Sequence, residues 1–159
     1  MSDSQSPSPA PSNAQDRAID RAKLHLCFGW WQLFVFLSLG IALEVMHGFK
    51  AGWYLDADNE TRRLMLTLAH THGTLLGLVN LAFSWTLTRV PHWGEAHQRL
   101  ALASWCLLGA SVLMPLGFFA GGLFPYPGDP ALGIILLPAG AFFLLVSIFL
   151  TAVATSKKK

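Results

Sequence analysis

Residues 64–87 read LMLTLAHTHGTLLGLVNLAFSWTL. No Asp, Glu, Lys or Arg interrupts the stretch. It exceeds the roughly 20 residues that a helix needs to cross the hydrocarbon core of a bilayer. Three further apolar runs of similar length occur at residues 24–47, 100–124 and 131–155, with Glu44 in the first as their one charged residue. None alternates with period two, so a closed barrel is excluded, and in lipid only helices otherwise satisfy their own backbone. The expected fold is all-α: an integral membrane four-helix bundle. Its connections are short, so sequential helices are expected to be antiparallel neighbours.

Composition agrees. Hydrophobic residues make up 53% of the 159-residue chain, charged residues only 13%, and the mean hydropathy is +0.45. A water-soluble domain has about twice that charged fraction. A net charge of +2 with no basic stripe excludes nucleic acid as a partner. The lipid bilayer is the expected surrounding, with self-association or membership of a larger membrane complex as the expected protein contacts. Residues 1–16, MSDSQSPSPAPSNAQD, are Ser- and Pro-rich and poor in large apolar side chains. Such a segment buries too little surface to offset chain entropy. Residues 1–23 are therefore read as a disordered tail, residues 24–155 as the membrane domain, and residues 156–159 as a basic tail. The start lacks the basic residues and apolar core of a signal peptide, so the first apolar run is read as an uncleaved anchor.

Lys and Arg set the orientation. Arg17, Arg21, Lys23, Arg89, Arg99, Lys157, Lys158 and Lys159 fall on one side, against Lys50, Arg62 and Arg63 on the other. Both termini are accordingly expected in the cytoplasm, in the inner (plasma) membrane of a bacterium. This topology assigns His25, His92 and His97 to the cytoplasmic interface and His47, His70 and His72 to the outer half of the membrane. Cys27 and Cys106 form no CxxC or CxxCH motif, so neither a dithiol redox site nor covalent haem attachment is indicated.

With His70 set at 0° on a helical wheel, Gly73, Thr74, Gly77, Asn80 and Ser84 fall at about 300°, 40°, 340°, 280° and 320°. That stripe of small and polar residues marks the face that another helix approaches closely. His72 lies near 200° on the same wheel, among leucines. In the first run, Glu44 and His47 are three residues apart and share a face with Gly29 and Gly40. Because the first run rises as the second descends, Glu44, His47 and His70 are expected at similar depth. Pro115 and Pro138 are expected to mark kinks or close packing.

Intramembrane carboxylates and imidazoles suit metal or haem ligation and proton relay. The leading expectation is a cofactor site in the outer leaflet: haem held between His47 and His70, or one transition metal held by Glu44, His47 and His70, in a redox or electron-transfer role. His72 is the further cofactor-binding candidate. The runner-up is a membrane isomerase with Glu44 and His70 as acid and base. A packing or accessory subunit with no cofactor is the third reading.

The segment AHTHGTLLG (69–77) resembles the second helix of small four-span membrane proteins of the hydroxylaminobenzene mutase type. They carry Ala-His-x-x-Gly-x-x-x-Gly, here Ala69, His70, Gly73 and Gly77. Where that type carries an acidic residue, this chain has His72. The His-Thr-His run is also similar to the HxH helix of small proteins related to haem-copper oxidase subunit I. The first resemblance implies isomerase activity, the second a haem or metal ligated by histidine. Both cover one helix and the four-span layout.

Overall fold

The computed structural model describes residues 10–55, 60–89, 94–124 and 133–156. Four helices make up its regular structure: α1 (Ala10–Gly48), α2 (Glu60–Arg89), α3 (Gly94–Leu123) and α4 (Gly133–Ser156). Among the described residues there is no strand. All four helices are long and apolar enough to cross a membrane. At 1.5 Å per residue even α4 reaches about 36 Å, against a hydrocarbon core of roughly 30 Å. Residues 1–9 and 157–159 of the expected tails, the turn at 125–132 and His92 lie outside the described residues.

α1 starts at Ala10, so helix covers residues 10–23, which composition assigned to a disordered tail. The reason is packing. Ala18 and Ala22 are buried, and Ala22 joins Phe83, Leu87, Leu100, Ala103 and Leu107 in one apolar cluster. Two small side chains one turn apart let the neighbouring helices reach α1 below its apolar run. The periodicity, rather than the average polarity, decides this segment.

Successive helices run antiparallel. Ala22 faces Ser84, Gln32 faces Asn80 and Gly40 faces His70 along α1 and α2. Asn80 meets Ser111 and His72 meets Phe118 along α2 and α3. Ser147 donates to the Ala103 carbonyl and Gly140 meets Met114 along α3 and α4. The bundle is open. Each helix packs on its neighbour in sequence, α1 meets α3 only marginally, and the backbone of α4 approaches neither α1 nor α2.

The polarity of the packing is inverted relative to a soluble bundle. His25, Gln32, Asn80, Ser84, Ser104, Ser111 and Ser147 are buried, whereas Trp30, Trp31, Phe34 and Ile41 of α1 and Phe142, Leu145 and Phe149 of α4 are exposed. Apolar side chains pointing outward from a polar seam are stable where the surrounding medium is itself apolar. The seam is built for close approach. A Cβ on Gly29 would stand 3.0 Å from the Gly77 carbonyl oxygen, and one on Gly77 would stand 3.2 Å from that of Gly29. This is the small-residue face that the α2 stripe indicates.

α1 ends in a Schellman motif. The Ala51 amide donates to the Met46 carbonyl at 2.9 Å and the Lys50 amide to the His47 carbonyl at 3.2 Å. Lys50 sits at φ 51°, the left-handed position that glycine usually takes. The reversal brings Tyr54 back onto Leu43 and Leu66, where it is buried.

Candidate functional site

Two polar features stand out in the apolar assembly. The first is a cavity of about 300 Å³ at the α1–α2 hairpin end, lined by Gly40, Leu43, Glu44, His47, Tyr54, Thr67 and His70. Glu44 and His47 project from the last turns of α1, where spacings of three and four keep them on one face with Gly40 and Leu43. Tyr54 arrives through the Schellman reversal. Thr67 and His70 come from α2, three residues apart. The three residues expected to share one depth, Glu44, His47 and His70, thus line one cavity. Glu44 and His47 are exposed and His70 is half-buried.

His70 is held firmly. Its Nδ1 donates to the Phe36 carbonyl at 2.7 Å. A carbonyl only accepts, so the neutral ring carries its proton on Nδ1 and leaves the Nε2 lone pair for another partner. The imidazole lies on Gly40, where a Cβ would overlap it, and the Phe36 ring lies likewise on Gly73. Each helix therefore seats an aromatic ring on a glycine of the other.

His72 does not join them. Its Nδ1 donates to the Leu68 carbonyl one turn back at 2.9 Å, and its ring lies 4.6 Å from that of Phe118 on α3. The two histidines of the HxH run serve opposite faces, as a spacing of two on a helix requires. Among the described residues, no three of His, Cys, Asp and Glu converge closely enough to hold one metal ion. Glu44, His47 and His70 share a cavity without forming a ready-made three-ligand centre.

The second feature is a buried hydrogen-bonded chain that joins α1, α2 and α3. His25, assigned to the cytoplasmic interface from the charge pattern, is fully buried between the helices. Its Nδ1 lies 2.6 Å from Asn80 Oδ1 and its Nε2 lies 2.8 Å from Ser104 Oγ. The Asn80 amide oxygen accepts from Nδ1–H, so Nε2 accepts from the Ser104 hydroxyl. Asn80 Nδ2 donates to the Leu76 carbonyl and to Ser111 Oγ, both at 2.8 Å, and reaches Gln32 Oε1 at 3.4 Å. Gln32 Nε2 in turn donates to the Ser111 carbonyl at 3.1 Å. Phe83 stands edge-on to His25 with ring centroids 4.7 Å apart.

The signal for this chain was present in the register. His25, Gly29, Gln32, Phe36, Gly40, Leu43 and His47 recur at spacings of three and four, so they form one continuous stripe along α1. Counting His25 with Arg17, Arg21 and Lys23 cut that stripe short.

No family model, curated protein or solved structure matches the chain.

Proposed function

We propose that the protein is a multi-pass membrane protein that binds a small cation on the outer face of the membrane, in the cavity of Glu44, His47 and His70. One observation carries the reading: one carboxylate and two imidazoles, from α1 and α2, line the same cavity. Nε2 of His70 is the free ligand atom, and the Nδ1–H bond to a carbonyl is the arrangement that orients a metal-binding imidazole. Glu44 and His47 are exposed on the closing turns of α1, and the reading requires their side chains to turn inward. A transition metal is the cation that two imidazoles and a carboxylate suit best. The Lys and Arg bias supports the outer placement.

Isothermal titration of the purified chain with Zn²⁺ or Cu²⁺ tests this. One site per chain is expected, lost in Glu44→Gln and in His70→Ala but kept in His72→Ala. Absence of binding, or binding indifferent to Glu44→Gln, overturns it. An absorption spectrum of the same sample, oxidised and then reduced, tests the haem form of the idea. Tyr54 favours a second reading. A phenol beside Glu44 and His70 completes an acid–base set for isomerising a small substrate, the activity implied by the likeness to the mutase type.

A further inference from the structure

Between α1 and α3, on the side away from the Glu44 cavity, lies a groove of about 700 Å³. It runs along α1 from Phe28 to Ala42, a length of about 21 Å. Phe28, Trp31, Phe36 and Phe119 give it aromatic walls. Its volume lies within the range of about 300–1,000 Å³ that small-molecule sites occupy. It exists because α1 and α3 both pack on α2 and barely on each other.

Three polar side chains stand in this mostly apolar wall: Ser38, which is exposed, and Gln32 and Ser111, which are buried. Gln32 is 6% exposed and Ser111 3%. Their hydrogen bonds leave a specific remainder. Gln32 Nε2 spends one of its two hydrogens on the Ser111 carbonyl. Ser111 Oγ accepts from Asn80 and keeps its own hydrogen. No described residue accepts either remaining hydrogen. Buried donors without acceptors are costly in an apolar medium. Both remaining hydrogens belong to donors, so their complement is an acceptor, and an uncharged one suits a wall that bears no charged side chain.

We infer that the α1–α3 groove binds a membrane-dissolved molecule with an apolar body and a carbonyl oxygen, the oxygen accepting from Gln32 and Ser111. The inference is independent of the cation site. Two sources carry this chemistry: a long-chain quinone, whose ring the aromatic walls would clasp, and the ester of a lipid. Behind the two donors, Asn80 and His25 hold Gln32 and Ser111 in place, so the donor pair is set before the ligand arrives.

The test uses the full chain in nanodiscs of ether-linked phospholipid, which bring no ester carbonyl. An alkyl benzoquinone is titrated in while tryptophan fluorescence is followed. Saturable quenching is expected, with its saturable part absent in Trp31→Phe. Ser111→Ala and Gln32→Leu are expected to weaken binding about tenfold each. Val112→Phe narrows the groove but leaves both donors and the network behind them intact, and it is expected to abolish saturation in a folded protein. Quenching that rises linearly with quinone content, the same in wild type and Val112→Phe, overturns the inference. So does saturable binding that neither Ser111→Ala nor Gln32→Leu weakens. The titration is then repeated in ester-linked lipid. A tenfold loss of apparent quinone affinity assigns the groove to lipid esters, and unchanged affinity assigns it to the quinone class; both keep the carbonyl.

Discussion

Gln32 on α1 completes a hydrogen bond that Pro115 takes away from α3. Proline has no amide hydrogen, so the carbonyl four residues earlier, that of Ser111, loses its helical donor. Gln32 Nε2 supplies the replacement at 3.1 Å. A proline in one helix and a glutamine in another are thus two halves of one backbone repair, in a medium where no water is at hand to make it.

This relationship predicts a double-mutant result. Gln32→Leu leaves the Ser111 carbonyl unpaired and is expected to cost about 1–3 kcal/mol. Pro115→Ala restores an amide donor to that carbonyl. In the Pro115→Ala background Gln32→Leu is expected to cost less, with a coupling of at least about 1 kcal/mol. Reversible unfolding in mixed detergent measures all four corners. Strict additivity would show that the two residues act separately.

The seating of His70 on Gly40 gives a second cycle. A methyl at position 40 overlaps the imidazole, so Gly40→Ala is expected to destabilise the protein by about 1–3 kcal/mol. His70→Ala vacates the space, and the double variant is expected to be more stable than Gly40→Ala alone. If it is less stable, the ring moves aside freely and the packing is not what holds it.

Lys50 occupies the left-handed position of the Schellman turn. Lys50→Gly removes the Cβ penalty and is expected to stabilise the chain by about 1 kcal/mol. Lys50→Val is expected to do the reverse. Thermal unfolding of the two variants beside wild type checks the order.

Thr74 Oγ1 is buried with no hydrogen-bond partner among the described residues. Thr74→Val keeps the shape and removes the unpaired hydroxyl, so stability is expected to hold or to rise by about 1 kcal/mol. Asn80→Leu, six residues on, strips partners from His25, Ser111 and Gln32 at once. It is expected to lose about 1–3 kcal/mol by the same principle. Opposite signs for two polar-to-apolar changes on one helix would separate paired from unpaired groups.

Much of this was legible in the residues themselves. The four helices follow from the apolar runs, and the buried face of α2 follows from the register of Gly73, Gly77, Asn80 and Ser84. The common cavity of Glu44, His47 and His70 follows from depth, because antiparallel neighbours pair an early residue with a late one. The role of His25 was hidden, because three cations next to it outweigh one imidazole in any count of charge. The pairing of Gln32 with Pro115 was hidden more deeply. It joins a side chain to a backbone group of a non-adjacent helix, and no period in either segment records it. The helical start at Ala10 was missed because small residues contribute little to hydrophobicity yet much to the closeness of two backbones.

Among the described residues the extensive helix interfaces join neighbours in the chain, α1 meets α3 through a few contacts that include the His25 and Gln32 hydrogen bonds, and the backbone of α4 approaches that of α3 alone. A protein of this layout can be assembled in the order in which it is synthesised. α2 finds α1 already in the bilayer, α3 finds α2 and completes the bonds of His25 and Gln32 on α1, and α4 finds α3. Local pairing of this kind keeps loop-closure entropy small and favours rapid assembly. The Glu44 cavity and the groove are lined by no described residue of α4, so a chain shortened by its last helix is expected to retain both.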